Sequence, residues 1–272
     1  MFPYLGLKAS TDLAQIKNRL QYNPQVFEFY TDTHDLTSDG LIHLADMIDL
    51  VKAHGIHQIV IHHPMKYQQI HNEMFADATK ATAEYNFLMS GSEKLIQLAI
   101  KHDVQVLLHG SYNEPISYIK TFYPSVTAAR NLVFKRLAYF QSLGGDHVMF
   151  ENSISPVFPF GDSTIDQRIF QANLRLCFDI SHGFIYLHGN NQRLQTSLQR
   201  LAPHIVHYHL VDSMGKTHYS LPLGQGKIDW AALLPYLNVQ ATNIFEINLK
   251  DQMNCQEMID SYQYLQQLTT AN

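Results

Sequence analysis

The sequence predicts an α/β protein built as a single (β/α)₈ barrel. Eight short runs rich in β-branched and aromatic residues alternate with segments of helical spacing. Most of those runs are nearly continuous in apolar residues, the pattern of parallel strands covered on both faces. The chain of 272 residues also matches the size of one such barrel, usually about 250 residues. A doubly wound open sheet is the structural alternative. It would carry a glycine-rich phosphate turn after an early strand, and neither GxGxxG nor a P-loop pattern occurs.

In chain order the expected strands are YLGLKAS near the start, residues 25 to 32, 58 to 64, 104 to 112, 147 to 153, 174 to 182, 204 to 213 and 243 to 249. Between them LIHLADMIDLVKAHG places Leu41, Leu44, Met47, Ile48 and Val51 on one stripe, with Gly55 as the stop. SEKLIQLAIKH, NLVFKRLAYFQSLGG, STIDQRIFQANL, RLQTSLQRLAP, IDWAALLPYL and CQEMIDSYQYLQQL repeat the pattern. Two connections are too long for plain turns, residues 64 to 80 and 113 to 125. On the carboxyl-end face of a barrel they would serve as lids or substrate walls. No linker or internal repeat interrupts the chain, so one domain over 1–272 is expected.

Apolar types make up 46% and charged types 16% of the residues, enough for a buried core and too little charge for a disordered chain. No leader or membrane span is visible, and Cys177 and Cys255 are too few for a disulfide framework, so a cytoplasmic, reduced protein is expected. A net charge of -5 disfavours nucleic acid and anionic membrane as partners, although a local basic groove could still sit on an acidic protein. Nothing in the sequence fixes the oligomeric state. Trp230 opens a helix after the seventh strand and reads as packing.

Sixteen histidines against nineteen lysines and arginines direct attention to the strand ends. There stand His62 and His63 on the third strand, His109 on the fourth, Glu151 on the fifth, and Asp179 with His182 on the sixth. His207, His209 and Asp212 follow on the seventh and Glu246 on the eighth. Any lone histidine is more simply a hydrogen-bonded residue. A glutamate inside an apolar run is different, because burying a carboxylate costs several kcal/mol unless it is paired or coordinated. Glu151 and Glu246 are therefore read as facing a cation, Arg175 and Lys250 being the only nearby cationic side chains. Glu28 sits mid-strand and reads as structural or as support to a ligand. Of His207 and His209, which share a face, the one nearer the carboxyl end is the better ligand. Only one of His62 and His63 can look inward, and the register decides which. His54, His57, His102, His188 and His204 read as surface residues.

FEN at 150 to 152, CFDISH at 177 to 182, HYHLVDS at 207 to 213, LPLGQGKIDW at 221 to 230 and FEIN at 245 to 248 resemble the xylose isomerase-like TIM barrels. That superfamily includes sugar isomerases and epimerases as well as endonuclease IV. The resemblance implies a divalent metal, Mn, Mg, Co or Zn, held by Glu151, Asp179, His209 and Glu246, with one ion per chain expected over two or three. No organic cofactor is implied. For a sugar or sugar phosphate isomerase or epimerase it implies proton transfer through a metal-stabilised enediolate, with Glu151 and Glu246 as the acid and base and His182 on a substrate hydroxyl. A small polar carbohydrate is then the substrate. The alternative is an endonuclease IV-like multinuclear zinc phosphodiesterase acting on abasic DNA. His62 and His109 match its second metal site, and His182 with His218 would belong to a third. The third departs from the pattern: Lys216 stands where the aspartate of the D-x-H motif would be if His218 is its histidine.

Overall fold

A computed structural model describes residues 3–270. Met1, Phe2, Ala271 and Asn272, which the expected domain span includes, lie outside the described residues. Eight strands form one parallel sheet: β1 (Gly6–Ala9), β2 (Val26–Tyr30), β3 (Gln58–His62), β4 (Gln105–His109), β5 (Val148–Glu151), β6 (Leu176–Asp179), β7 (Ile205–Leu210) and β8 (Thr242–Phe245). Each is hydrogen-bonded to the next in chain order. β1 and β8 meet at a seam joined by a side chain. The Asn243 amide accepts from the Tyr4 N–H at 2.9 Å and donates to the Tyr4 carbonyl at 2.9 Å. Gly6 is required there, since a Cβ would run into the Asn243 carbonyl.

The helices are α1 (Leu13–Leu20), α2 (Ser38–Ala53), α3 (Thr82–His102), α4 (Ile116–Phe122), α5 (Val126–Gly144), α6 (Ser163–Ala172), α7 (Ile180–Tyr186), α8 (Asn191–Leu201), α9 (Trp230–Leu233) and α10 (Gln256–Thr270). Asp12, Thr37, Ser125, Asp162 and Asn190 cap α1, α2, α5, α6 and α8 by accepting first-turn N–H groups. Each relieves one or two of the donors a helix start leaves unpaired. Among the described residues no helix is long and apolar enough to cross a membrane. Cys177 and Cys255 are free and buried.

Strand alternation divides the apolar residues into two compartments. One set, including Phe27, Phe29, Ile59, Ile61, Val106, Leu108, Phe150 and Phe178, packs outward into the main core beneath the helices. Val60, Leu107, Met149 and Cys177 form a separate small cluster, the floor of the barrel lumen. Two residues further along the same four strands stand His62, His109, Glu151 and Asp179, on the same face by that alternation and directly above the floor.

The long connections are more ordered than the sequence suggests. Residues 113 to 125 contain α4, and the connection after β3 folds into a hairpin of Lys66–Tyr67 and Ile70–His71. The sixth expected strand runs too far, because α7 starts at Ile180, immediately after Asp179.

Candidate metal centre

The register settles which histidine of the pair faces the lumen. His62 points inward, its Nε2 lying 3.1 Å from His109 Nε2. His63 points outward against Gly91 and Phe87 on α3, where Asn72 lies 3.0 Å from its Nδ1. Burial drives His63 down to about 3, so it is a neutral packing residue.

Glu151 is the centre of the site. Its Oε2 lies 3.1 Å from His109 Nε2, 3.5 Å from His62 Nε2 and 3.7 Å from His209 Nδ1, while Oε1 lies 3.2 Å from His182 Nδ1. His209 Nδ1 is 2.8 Å from Glu246 Oε2 and 3.9 Å from Asp179 Oδ2. Three sets of converging ligand atoms result: His62, His109 and Glu151; Glu151, Asp179, His209 and Glu246; and Asp179, His182 and His218. Glu151 belongs to the first and second sets, and Asp179 to the second and third.

Both oxygens of Glu151, Asp179 Oδ2, His209 Nδ1 and His109 Nδ1 are buried without a well-aligned hydrogen bond, although imidazoles approach Glu151 and His209 Nδ1 approaches Glu246. Buried polar atoms cost free energy unless they are well satisfied, and a divalent cation would satisfy this group together. Oxygen and imidazole donors suit Mn, Mg, Co or Zn. The protonation preferences agree. Burial takes His109 down to about 3, leaving a neutral ring with a lone pair to give. Burial also disfavours the Glu151 anion, yet the charged His209 ring and hydrogen bonds from His182 and His209 hold that carboxyl well below its ordinary range.

Neighbouring groups fix these ligands. Asp179 Oδ1 accepts from the His182 N–H at 2.6 Å, capping α7, so Oδ2 is the oxygen left for the centre. Asn152 clasps the same residue from β5, donating to the Asp179 carbonyl at 3.0 Å and accepting its N–H at 2.8 Å. Glu28 Oε2 lies 3.2 Å from His209 Nε2 and 3.3 Å from His207 Nε2, which orients His209 with Nδ1 toward the centre. Burial opposes the Glu28 anion, but His209 and His207 hold its carboxyl down at about 2. His207 is thereby occupied below the site, its Nδ1 2.6 Å from Thr242 Oγ1. Cys177 approaches both histidines, but burial raises its thiol far above neutral, so it stays protonated at the floor.

One expectation needs correction. Glu246 does have a cationic partner, Lys8 on β1, whose Nζ donates to Oε1 at 2.9 Å. Lys8 is far away in sequence and reaches Glu246 only because the barrel brings β1 beside β8. Asp212 also stands apart from the centre. It accepts from the backbone N–H groups of Ser213, Gly224 and Ile228 and from Trp230 Nε1, organising the loop after β7. Gly226 packs so closely on this carboxylate that a Cβ would collide with it.

Residues 163–252 match the family model of the xylose isomerase-like TIM barrels. The whole chain superimposes on a D-tagatose 3-epimerase-like protein with a TM-score of 0.71 at 18% identity, covering 98% of this chain and 97% of that one. The chain has the fold of the xylose isomerase-like TIM barrels. Endonuclease IV from Thermus thermophilus shares that fold with a TM-score of 0.66 at 13% identity, covering 99% and 100% of the two chains. So does the IOLI protein with a binding zinc atom, at 0.65 and 14%, covering 98% and 97%. No curated protein matches the chain in sequence.

In this barrel the loop after β7 brings His218 to the mouth, its ring edge-on to His182 with centroids 4.6 Å apart. Lys216 is exposed and belongs to none of the ligand sets. A cavity of 750 Å³ opens above the centre, lined by Lys8, Tyr30, Met65, Lys66, Tyr219 and Glu246 among others. It adjoins a tighter chamber of 60 Å³ that reaches His109, Glu151 and His182. Lys8 and the hairpin residue His71, which also lines the chamber, carry no signal in the linear sequence. Each becomes part of the site through contacts between distant segments.

Proposed function

We propose that this chain is a divalent-metal-dependent hydrolase of small, polar, carbohydrate-like phosphate esters, working with more than one ion. The observation that carries the reading is the sharing of Glu151 and Asp179 between neighbouring ligand sets. A carboxylate reached by two sets is what bridges two ions. His62 and His109, converging on Glu151 from β3 and β4, supply the donors for a second ion. Zinc in the IOLI protein and the endonuclease IV fold likeness agree with this chemistry.

Divalent ions held there would act as Lewis acids, drawing charge from the phosphoryl oxygens and easing deprotonation of the attacking water. The chain does the positioning. Glu28 and Asn152 hold His209 and Asp179 in place, and the narrow chamber excludes bulk water. Lys8 presents a cation to the same cavity beside Glu246. Aromatic and aliphatic walls from Tyr30, Met65, Tyr219 and Ile247 suit a small organic group. Lys8 and Lys66 against Asp32 and Glu246 make too little positive charge for a nucleic-acid groove.

Ketose isomerisation or epimerisation is the second reading. It is favoured by the second ligand set, which is complete in itself and places Glu151 and Glu246 on either side of His209 with His182 alongside. One experiment separates the two. Protein purified without added metal or a histidine tag is analysed for metal, then assayed with methyl 4-nitrophenyl phosphate and with ketoses. About two or three ions per chain, reduced in the His62→Ala/His109→Ala variant along with nitrophenolate release, is the expected result. About one ion per chain, unchanged in that variant, with turnover of a ketose alone would reverse the assignment.

A further inference from the structure

The hairpin after β3 delivers a histidine to the chamber that belongs to none of the three central ligand sets. His71 Nδ1 lies 3.0 Å from Glu114 Oε1 on the loop after β4, which leaves Nε2 as the ring nitrogen available to a ligand. The His71 ring lies nearly flat on Tyr112, with centroids 5.0 Å apart at 12°, and Tyr112 in turn lies on His109 at 4.1 Å and 20°. His71 therefore stands one ring beyond a residue of the first ligand set. It lines the same 60 Å³ chamber as Glu151, His182 and Glu246, a space for about two water molecules.

The hairpin is anchored rather than loosely placed. Glu73, two residues on, is buried and accepts from Ser111 Oγ at 2.7 Å and from the Tyr112 N–H at 3.1 Å. Asn72 donates to the Pro64 carbonyl at 3.3 Å, and Tyr67 stacks on Phe87 of α3 at 4.6 Å. Glu73 could complete a further ligand set with His71 and Glu114. Its oxygens are already taken by Ser111 and Tyr112, so its role is to fix the loop.

We infer that His71, oriented by Glu114, is the catalytic acid that protonates the departing oxygen of the substrate. The inference rests on the hydrolase reading above. A phosphoryl transfer in this centre forms a bond from a water oxygen to phosphorus and breaks the bond from phosphorus to the ester oxygen. With Nδ1–H held by Glu114, His71 acts as an imidazolium: its Nε2 proton goes to that departing oxygen, which leaves as an alcohol, and a neutral ring with Nδ1–H remains. The proton lost by the water restores the ring, so ester and water give alcohol and phosphate with nothing else consumed. The ligand histidines would hold cations through their lone pairs, so they cannot also carry this proton. Among the described residues lining the chamber, His71 and Tyr112 are the proton-bearing side chains outside the three central sets. Tyr112 is sandwiched between two rings. Glu114 is a positioning residue, since it acts through His71.

The test is a leaving-group comparison on metal-loaded protein, using methyl 4-nitrophenyl phosphate and methyl 4-methoxyphenyl phosphate. A good leaving group departs without a proton and a poor one needs it. His71→Gln is expected to lose roughly 100-fold in kcat on the methoxyphenyl ester and less than about threefold on the nitrophenyl ester, with unchanged metal content. Glu114→Gln should show a smaller loss with the same dependence, and Tyr112→Phe should show none. Equal losses on both esters in His71→Gln, or the leaving-group dependence moving to Tyr112→Phe, would overturn the assignment. Wild-type protein inactive on both esters would instead defeat the hydrolase reading, and this assignment with it.

Discussion

Glu28 and Glu151 differ from Glu73 in their buried surroundings, and their partners tell them apart. Glu28 and Glu151 face histidines and are held as anions. Glu73 faces a hydroxyl and a backbone N–H, and burial pushes its carboxyl up to about 8 from an ordinary 4.5. The native state thus keeps this proton up to about pH 8, while the unfolded chain releases it near 4.5. Over that window the folded form binds more protons, so stability falls as pH rises, by no more than about 1.4 kcal/mol per unit. Glu73→Gln keeps the Tyr112 N–H bond through its amide oxygen, reverses the Ser111 bond by donating to Oγ, and removes the ionisation. Its urea midpoint should match wild type near pH 5 and exceed it near pH 8.5, and a wild-type advantage at the higher pH would show that Glu73 ionises in place. The strand-end cluster was legible in the sequence because each member is a polar residue inside an apolar run, where burial makes it conspicuous. Lys8, His71 and Glu73 were not. They lie at strand or hairpin positions that fit a solvent-facing residue equally well until the barrel closes.

The hairpin shows the same limit for an element. It uses the register Lys66↔His71 and Tyr67↔Ile70, leaving two loop residues, Gln68 and Gln69, with φ of 47° and 71°. Two consecutive residues at positive φ define the turn whose twist matches a hairpin, a position that favours Asn-Gly. With Gln-Gln in its place the sequence gives no turn signal, and the segment reads as a loop. α1, α4 and α7 escape for another reason, having eight, seven and seven residues, too short for the 3.6-residue period to show. The longer helices and all eight strands stand out because their apolar pattern repeats several times. Replacing Gln68→Asn and Gln69→Gly together should relieve the backbone and stabilise the protein by about 0.5–1 kcal/mol. A rise in the urea midpoint, with slower hydrogen exchange at Tyr67 and His71, is the expected outcome. A fall would mean that the glutamine side chains contribute contacts outweighing the strain.

At the scale of the whole molecule the barrel is a nearly closed wall around a lumen whose lower part is apolar and whose upper part is dense in ionisable groups. Val60, Leu107, Met149 and Cys177 fill the floor. Above them, Glu28, Glu151, Asp179 and Glu246 crowd against five histidines, with Lys8 as the lysine of the group. Without cations such a lumen is held together by shared protons. Burial raises the Asp179 carboxyl, and His182 is pushed up to about 9 by Asp179 and Glu151 although burial alone favours its neutral ring. Cations held there would replace those protons and satisfy the poorly bonded oxygens, and they would bind only where folding has assembled the strands. On that reading metal is linked to global stability: at a free concentration 100 times its Kd, one ion would add about 2.7 kcal/mol. For a chain of this size that corresponds to a rise in Tm of about 5 to 10 °C. Protein stripped with a chelator and reloaded with zinc should show that rise in a thermal scan. The gain should be smaller in Glu151→Gln, which loses the carboxylate shared between sets. A Tm insensitive to chelator and zinc would mean that the strand-end carboxylates are stabilised by histidine protons alone, and the metal reading would fail at its base.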